Sequence, residues 1–339
     1  MLVKSFIENL LLMVGGITIF LHGLKLMSDN LQEIAGSKMK NLLEGATSSK
    51  LKGVAMGTLA TAVVQSSTAV NIMLVGFVNA GVLGFEQAVS VIMGANIGTT
   101  VTAQLVSLSG NDLFDITAFG SLVAFSGFLI SFSSKKYPHL IGGIMLGFGC
   151  VFIGLEIMNT SIYAFKNYEF FRRLFMASNP FVLILNGLLI TAIVQSSSAV
   201  SSVMIILALN GLITFENSVY LILGTNIGAG IAVLFISASM SAEAKKVAIA
   251  NIMFNVIGAA LFVWPLMIFE EPIAAFFASI SGGIERQVAN FHTIFNIAVT
   301  LVLLPLSKYF ARLVNALGDF KAFKSRARGN EKTKSARPA

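Results

Sequence analysis

Long apolar stretches separated by short polar connections make up most of this chain. The apolar stretches reach about 20 residues or more, the length that a helix needs to cross a bilayer. Two of them are polar at the centre, where Gln65-Ser66-Ser67-Thr68 and Gln195-Ser196-Ser197-Ser198 stand. The second run follows the first by 130 residues, and nearly half of the positions from Gly57 to Gly98 recur at that spacing. We infer an internal duplication with a polar break at the centre of each copy.

This pattern predicts an all-α polytopic membrane protein. Each polar break has flanks of about 12 residues, roughly 18 Å of helix, which is about half a bilayer. The short flanks favour a re-entrant helical hairpin at each break, and one continuous span with a polar centre is the alternative. Hairpins are predicted at about 53–80 and 180–210, and full spans at Phe6–Met27, Phe85–Leu108, Ile116–Ser133, His139–Tyr163, Asn217–Ser239, Val247–Phe269 and Gln287–Tyr309.

The charge pattern predicts two repeats of opposite orientation. The basic C-terminus places that end in the cytoplasm, and counting back across the spans places the N-terminus outside. We assign repeat 1 to residues 1–134, repeat 2 to 135–312 and a basic cytoplasmic tail to 313–339. Each repeat is expected to hold three transmembrane helices and one hairpin. An odd number of crossings gives inverted-topology repeats, which are typical of secondary transporters. The polar segment from Ser28 to Lys52 is expected on the membrane surface.

The composition excludes a soluble globular protein. Hydrophobic residues make up 55% and charged residues only 12%, whereas soluble domains carry about 25% charged residues. The net charge of +7 comes largely from the tail, which we interpret as a topology signal and a contact with anionic lipid rather than as a nucleic-acid site. The single cysteine, Cys150, excludes an intrachain disulfide.

The two polar breaks carry the groups that an ion site needs. They offer hydroxyls, an amide side chain, and the free N–H groups and positive dipole end of the helix that restarts there, which together suit an oxyanion. The carbonyls that end the preceding helix suit a cation such as Na⁺. Polar residues that only hold helices together are the alternative, and the duplication of the whole break favours a site. The expected substrate residues are Gln65, Ser66, Ser67, Thr68, Gln195, Ser196, Ser197 and Ser198.

A second set of polar residues follows each break. Asn96 and Asn226 stand in repeated Gly-x-Asn-Ile-Gly sequences, where close helix packing is the alternative to ion binding. A further repeated pattern places Asn251, Asn255, His292 and Asn296 at helical spacing, which predicts an inward-facing polar stripe. The sodium-binding candidates are Gln65, Gln195, Asn96, Thr99, Asn226 and Thr225.

The sequence places no basic residue beside either break. The charge of a bound anion would then be offset by helix ends and by bound cations, which favours cation-coupled symport. The break segments contain no His or Lys beside the serines, and no metal-ligand cluster is evident, so an enzyme is not expected. We expect no cofactor other than Na⁺ as the coupling ion.

The paired motifs resemble those of the sodium/phosphate cotransporter family. They are Gln65–Ala69 and Gln195–Ala199, each followed by Gly-(Ala/Thr)-Asn-Ile-Gly. Thr68 departs from an all-serine motif but keeps the hydroxyl. The resemblance implies a bacterial inner-membrane transporter that binds inorganic phosphate between two apposed hairpin tips, with sodium close by. Its partners would be phosphate, sodium ions and the lipid bilayer, and a homo-oligomer stays open. Another oxyanion, such as sulfate or a carboxylate, and phosphate export are the alternatives.

Overall fold

The described part of the chain is helical. In a computed structural model, residues 2–45, 49–110, 116–162, 165 and 168–318 are described. A short 3₁₀ helix, Ser107–Gly110, follows the fourth α-helix. The α-helices are α1 Leu2–Gly45, α2 Lys50–Val64, α3 Ser67–Asn79, α4 Phe85–Val106, α5 Ile116–Ser131, α6 Lys136–Ile162, α7 Glu169–Phe175, α8 Pro180–Val194, α9 Ser197–Leu209, α10 Phe215–Ser237, α11 Ala242–Ile268, α12 Glu270–Ile280, α13 Ile284–Leu303 and α14 Ser307–Gly318.

The helices bear out a multi-pass membrane protein. Among the described residues, five helices are long and apolar enough to cross a membrane, or up to seven if each of two sharply bent helix pairs counts as one span. The expected break points are also present, because α2 and α3 meet at Gln65-Ser66 and α8 and α9 meet at Gln195-Ser196.

Three elements differ from the sequence-based expectation. Helix α1 continues unbroken to Gly45, so the Ser28–Lys52 segment does not start as a separate surface helix. Helix α13 ends at Leu303 and turns by 90° into α14, so the stretch Gln287–Tyr309 is bent rather than one straight span. Helix α5 comprises only the 16 residues Ile116–Ser131 of the predicted span Ile116–Ser133, so it is not among the helices long enough to cross a membrane.

Some predicted features lie outside the described residues. These are the basic tail beyond Gly318, the acidic loop at 111–115, Lys166, and the side chains of Lys38 and Lys40.

Two groups of helices form the molecule. Helices α1 and α5 both pack along α6, and we call these three helices the α1/α6 frame. The other long helices, α2 to α4 and α8 to α13, pack on one another, and we call them the bundle. The main contact between the two groups in the described chain is the packing of α1 on α2, with a smaller contact between α6 and α9. The frame therefore reaches the first break through α1.

Helices α1 and α6 cross through reciprocal glycine contacts. A Cβ added at Gly16 would lie 3.0 Å from the Gly154 carbonyl oxygen, and one added at Gly23 would lie 2.7 Å from that of Gly147. The residue numbers of the contacting positions decrease along α6 as they increase along α1, so the two helices are antiparallel. In the repeat, which has a spacing of 131 residues in these helices, Gly16 corresponds to Gly147 and Gly23 to Gly154. Gly16 thus packs against the counterpart of Gly23, and Gly23 packs against the counterpart of Gly16.

Each helix before a break packs in parallel with the long helix that follows its hairpin. Side chains added at Gly57 and Gly94 would collide with the carbonyl groups of Val91 and Val54, respectively. Gly98 faces Thr61, further along both helices, so α2 and α4 run in the same direction. Helices α8 and α10 repeat this arrangement through Gly187, Gly224 and Gly228. Close backbone packing at small residues is typical of helices in membranes.

Candidate ion site at the two polar breaks

Both polar breaks have the same backbone geometry. Gln65 and Gln195 end their helices in the left-handed conformation, with φ of 55° and 58°. Such a φ is uncommon for a residue other than glycine, and it is worth attention as a functional feature. Ser66 and Ser196 then cap the next helix, because each hydroxyl oxygen accepts a hydrogen bond from the amide of the residue three positions on, at 3.2 and 3.3 Å. Two helices therefore begin at the two breaks.

One cavity joins the breaks. Its volume is about 360 Å³, and both four-residue motifs line it together with one face of α1. The eight motif residues expected to form a site thus lie around a single space, although they come from segments 130 residues apart. Within this set Ser67, Ser197 and Ser198 are buried, and Gln195 is exposed. The remaining lining residues are Leu21, Leu24, Lys25, Ser28, Asp29, Gln32 and Ala69.

The two glutamines have different surroundings. The Gln65 side chain donates to the Ala62 carbonyl at 2.5 Å and accepts a hydrogen bond from the Thr102 hydroxyl at 2.8 Å. Its amide is therefore tied to α2 and α4. We find no hydrogen bond to the Gln195 side chain among the described residues, and Ala232 stands where the repeat would need a threonine. The Gln195 amide is thus available to a ligand, whereas Gln65 braces the first break.

Lys25 places a basic residue in the cavity, contrary to the expectation that none lies beside the breaks. Its ammonium group lies 2.6 Å from a carboxylate oxygen of Asp29, one helical turn further along α1. The two side chains are 71% and 55% exposed, so solvent weakens the attraction between them. The pair adds no net charge to the cavity, and a bound anion would still need further compensation.

Sequence reasoning missed α1 as a wall of the cavity. Lys25, Ser28, Asp29 and Gln32 are spaced by three and four residues, so they share one helix face at the end of an apolar span. This polar face is the feature of the sequence that could have predicted a cavity wall on α1. The Ser28 hydroxyl donates to the Val64 carbonyl oxygen at 2.5 Å, which fixes α1 against the end of α2, directly before the first break.

The sodium candidates on α4 and α10 do not line this cavity. Asn96 is buried and forms side-chain hydrogen bonds with Asn251 and Asn255 of α11, both at 3.1 Å. Thr99 donates to a carbonyl of its own helix. On α10, the side-chain oxygen of Asn226 lies 3.0 Å from Nε2 of His292 on α13. The inward polar stripe therefore pairs with the two repeated asparagines inside the helix packing.

Several buried polar atoms of this region have no hydrogen-bond partner among the described residues. An unpartnered buried polar atom costs about 1–3 kcal/mol, so each needs an explanation such as an ion or water. Oxygen atoms are the ligands that sodium uses at such places in transporters. The unpartnered atoms include Oγ1 of Thr61, Thr191 and Thr225, Oδ1 of Asn255 and Asn296, Nδ2 of Asn226 and Nδ1 of His292.

The fold and the cavity define a multi-pass membrane protein with a polar space of about 360 Å³ between two helix N-termini. The sequence profile described as the Na⁺/Pi-cotransporter matches residues 19–160 and 167–282, which is most of the chain. The chain therefore belongs to this family of transporters, and the resemblance inferred from the paired motifs is confirmed.

Several known proteins are similar to this chain. An uncharacterised protein, YqeW of Bacillus subtilis, is 30% identical over 305 residues, covering 89% of this chain and 95% of its own length. The putative inorganic phosphate export protein YjbB of Escherichia coli is 23% identical over 91% of this chain, which spans 56% of that relative. Human sodium-dependent phosphate transport protein 2B is 33% identical over 104 residues, 30% of this chain and 15% of its own length. No solved structure matches.

Proposed function

We propose that this protein is a sodium-coupled inorganic phosphate transporter that binds its substrate between the two polar breaks. The observation that carries the proposal is the single cavity lined by both motifs. The names of the human relative, a sodium-dependent phosphate transport protein, and of the E. coli relative, a putative phosphate export protein, support the same substrate.

The chemistry of the cavity suits a tetrahedral oxyanion. The first N–H groups of α3 and α9 have no acceptor within their own helices, and the helix dipoles add partial positive charge at the same point. Ser66 and Ser196 use their oxygens as caps, so their hydroxyl hydrogens remain available to donate to an anion. Ser67, Thr68, Ser197 and Ser198 would complete the donor set. Backbone N–H groups at helix N-termini bind phosphate without any basic side chain.

The charge balance of the cavity supports sodium coupling. Asp29 offsets Lys25, and helix ends supply only about half an elementary charge each. One or more bound cations would offset the remaining charge of phosphate. Gln195 and the unpartnered oxygens of Thr225 and Asn296 are suitable neutral ligands. Binding of sodium would then raise the affinity for phosphate, and the converse holds by reciprocity.

An inverted-repeat architecture fits the helix packing. The reciprocal glycine contacts of antiparallel α1 and α6 are those that a local two-fold axis perpendicular to the helices would produce, and such an axis would lie in the membrane plane. The directions of the helices also fit re-entrant hairpins. Helix α2 runs parallel to α4, and only the five residues Ala80–Gly84 join α3 to α4. Helix α3 must therefore return to the side from which α2 came.

We place the protein in the bacterial inner membrane, as the family resemblance implies. The distribution of charged residues favours the N-terminus outside and the C-terminus in the cytoplasm. The direction of transport in the cell would follow the gradients of sodium and phosphate. Export is therefore compatible with the same mechanism.

Transport in liposomes tests the proposal. Purified protein is reconstituted, and uptake of radiolabelled phosphate is followed under an inward Na⁺ gradient, with K⁺ in place of Na⁺ as the control. Accumulation above equilibrium only with Na⁺ is expected. Competition by excess sulfate or carboxylate that abolishes uptake would redirect the substrate assignment. Uptake that does not depend on Na⁺ would contradict the coupling.

A further inference from the structure

The two repeats are not in equivalent positions relative to the α1/α6 frame. Ser28 of α1 corresponds to Asn159 of α6, and Val64 before the first break corresponds to Val194 before the second. Ser28 donates to the Val64 carbonyl oxygen. Asn159 instead accepts a hydrogen bond from Asn210, at the far end of α9, with a distance of 2.6 Å. Helix α1 thus contacts the break of the first hairpin, whereas α6 contacts the second hairpin at the end away from its break.

The exposure of the two breaks follows the same asymmetry. Val64 is fully buried, whereas Val194 is 42% exposed and its neighbour Ile193 is 82% exposed. The residues are valine in both repeats, so the difference comes from what covers them. Helix α1 covers the first break, and α6 leaves the second uncovered.

Two cavities of very different size are lined by corresponding residues. On α1, Leu21, Leu24, Lys25 and Ser28 line the large cavity between the breaks. Their counterparts on α6 line a second cavity, of only about 10 Å³, against Ile206 and Leu209 of α9. Ile206 lies nine residues after Ser197, roughly 14 Å along the helix from the break. The α6 residues of the small cavity are Phe152, Leu155, Glu156 and Asn159.

From this arrangement we propose that Asn159 is a positioning residue of a second transport state, in which it bonds to the Val194 carbonyl as Ser28 now bonds to Val64. In that state α6 covers the second break, and Phe152, Leu155 and Glu156 line the open cavity. Ser28 then lies beside Ala80, which corresponds to Asn210. The inference rests on the proposed transport function, because it assigns residues to the opposite access state.

The exchange keeps the contact between α1 and α6 but requires the last turns of α1 to unwind, because only residues 46–49 join α1 to α2 and four residues cannot span such a movement. The contact of α1 with α6 is reciprocal, so it is the same in both states. The bundle would slide along the frame by roughly 20 Å, the length of the 13 residues of α9. The hydrogen bond to the Val64 carbonyl would break, and the corresponding bond to the Val194 carbonyl would form. The charge of the cavity wall would differ between the two states, because α6 has Glu156 at the position where α1 has Lys25.

Paired cysteines test the proposal in protein whose native cysteine has been removed by C150A. The N159C/N210C pair is bridged with a short bifunctional methanethiosulfonate reagent, which should hold the state described here. The S28C/A80C pair is the matched second variant. Its positions are roughly 20 Å apart in this structure, because Ala80 ends the 13 residues of α3. They should be bridged only when the second state forms. The single-cysteine variants and C150A itself are the controls.

Bridging of N159C/N210C is expected to abolish phosphate transport, and a reducing agent should restore it to the C150A level. Bridging of S28C/A80C should occur during turnover. N159A should lower kcat several-fold with an unchanged KM, since Asn159 does not line the large cavity in the state described here. Full transport by the bridged N159C/N210C protein, or failure of S28C/A80C to bridge during turnover, would overturn the proposal. Absence of Na⁺-dependent uptake by C150A and wild type would instead contradict the proposed function, and bridging would still report the exchange.

Discussion

Thr102 on α4 donates a hydrogen bond to the side-chain oxygen of Gln65 at 2.8 Å, and this bond joins the first break to the helix that follows its hairpin. The corresponding residue of the second repeat is Ala232, so Gln195 has no such brace. The sequence repeat is therefore symmetric at the motifs, whereas the contacts that hold the motifs are not.

Loss of this brace should weaken substrate binding. In T102A the Gln65 oxygen loses its partner, and the first break becomes less rigid. A hydrogen bond of this kind contributes about 1 kcal/mol, which corresponds to an increase of about five-fold in KM for phosphate. T102S keeps the hydroxyl and serves as the control. Equal KM values for T102A and wild type in the liposome assay would contradict the role of Thr102.

Removal of a hydroxyl inside the cavity should stop transport. Ser67 and Ser197 begin the helices that point at the cavity, and both are buried. We expect S67A and S197A to insert in the membrane normally and to lose Na⁺-dependent phosphate uptake. S121A is the matched control, because Ser121 is exposed on α5 and bonds only to its own helix. Wild-type uptake in both cavity variants would remove these serines from the site.

The Lys25–Asp29 pair should tune the attraction of the cavity for anions. D29N leaves Lys25 without its carboxylate and should lower KM for phosphate a few-fold at low ionic strength. K25Q should raise KM by a similar factor. The double variant K25Q/D29N restores zero net charge and should lie near wild type. Both effects should decrease at high salt, because exposed charges are screened. A KM that is independent of these charges would exclude Lys25 from the approach of substrate.

Packing between α8 and α10 should depend on the absence of a side chain at Gly224. An added Cβ would collide with the Ile184 carbonyl group. We expect G224A to lower the melting temperature in detergent, since overpacking costs about 1–3 kcal/mol. Gly76 has nothing within 4 Å of an added Cβ, so G76A is the control and should melt like wild type. Identical melting of G224A and wild type would show that the helices separate readily at this point.

The parts of the site that could be predicted from sequence are those encoded by local pattern and by duplication. The helix breaks at Gln65 and Gln195 follow from four polar residues within apolar helices, and the burial of Asn251, Asn255, His292 and Asn296 follows from their spacing. The position of α1 beside the first break could not be predicted, because a contact between Ser28 and Val64 depends on how distant helices pack. The bend after Leu303 was missed for another reason, since hydropathy does not report helix direction.

The reciprocal contact between α1 and α6 also bears on how such a chain could arise. An interface in which Gly16 meets Gly154 and Gly23 meets Gly147 has the self-complementary form of a symmetric dimer contact. Two separate half-length chains, inserted in opposite orientations, would bury the same glycines against each other. Fusion of the two genes would then leave this surface in place, and each half would be free to change where the other does not constrain it. Lys25 and Glu156, which stand at corresponding positions of the repeat, would be one such difference.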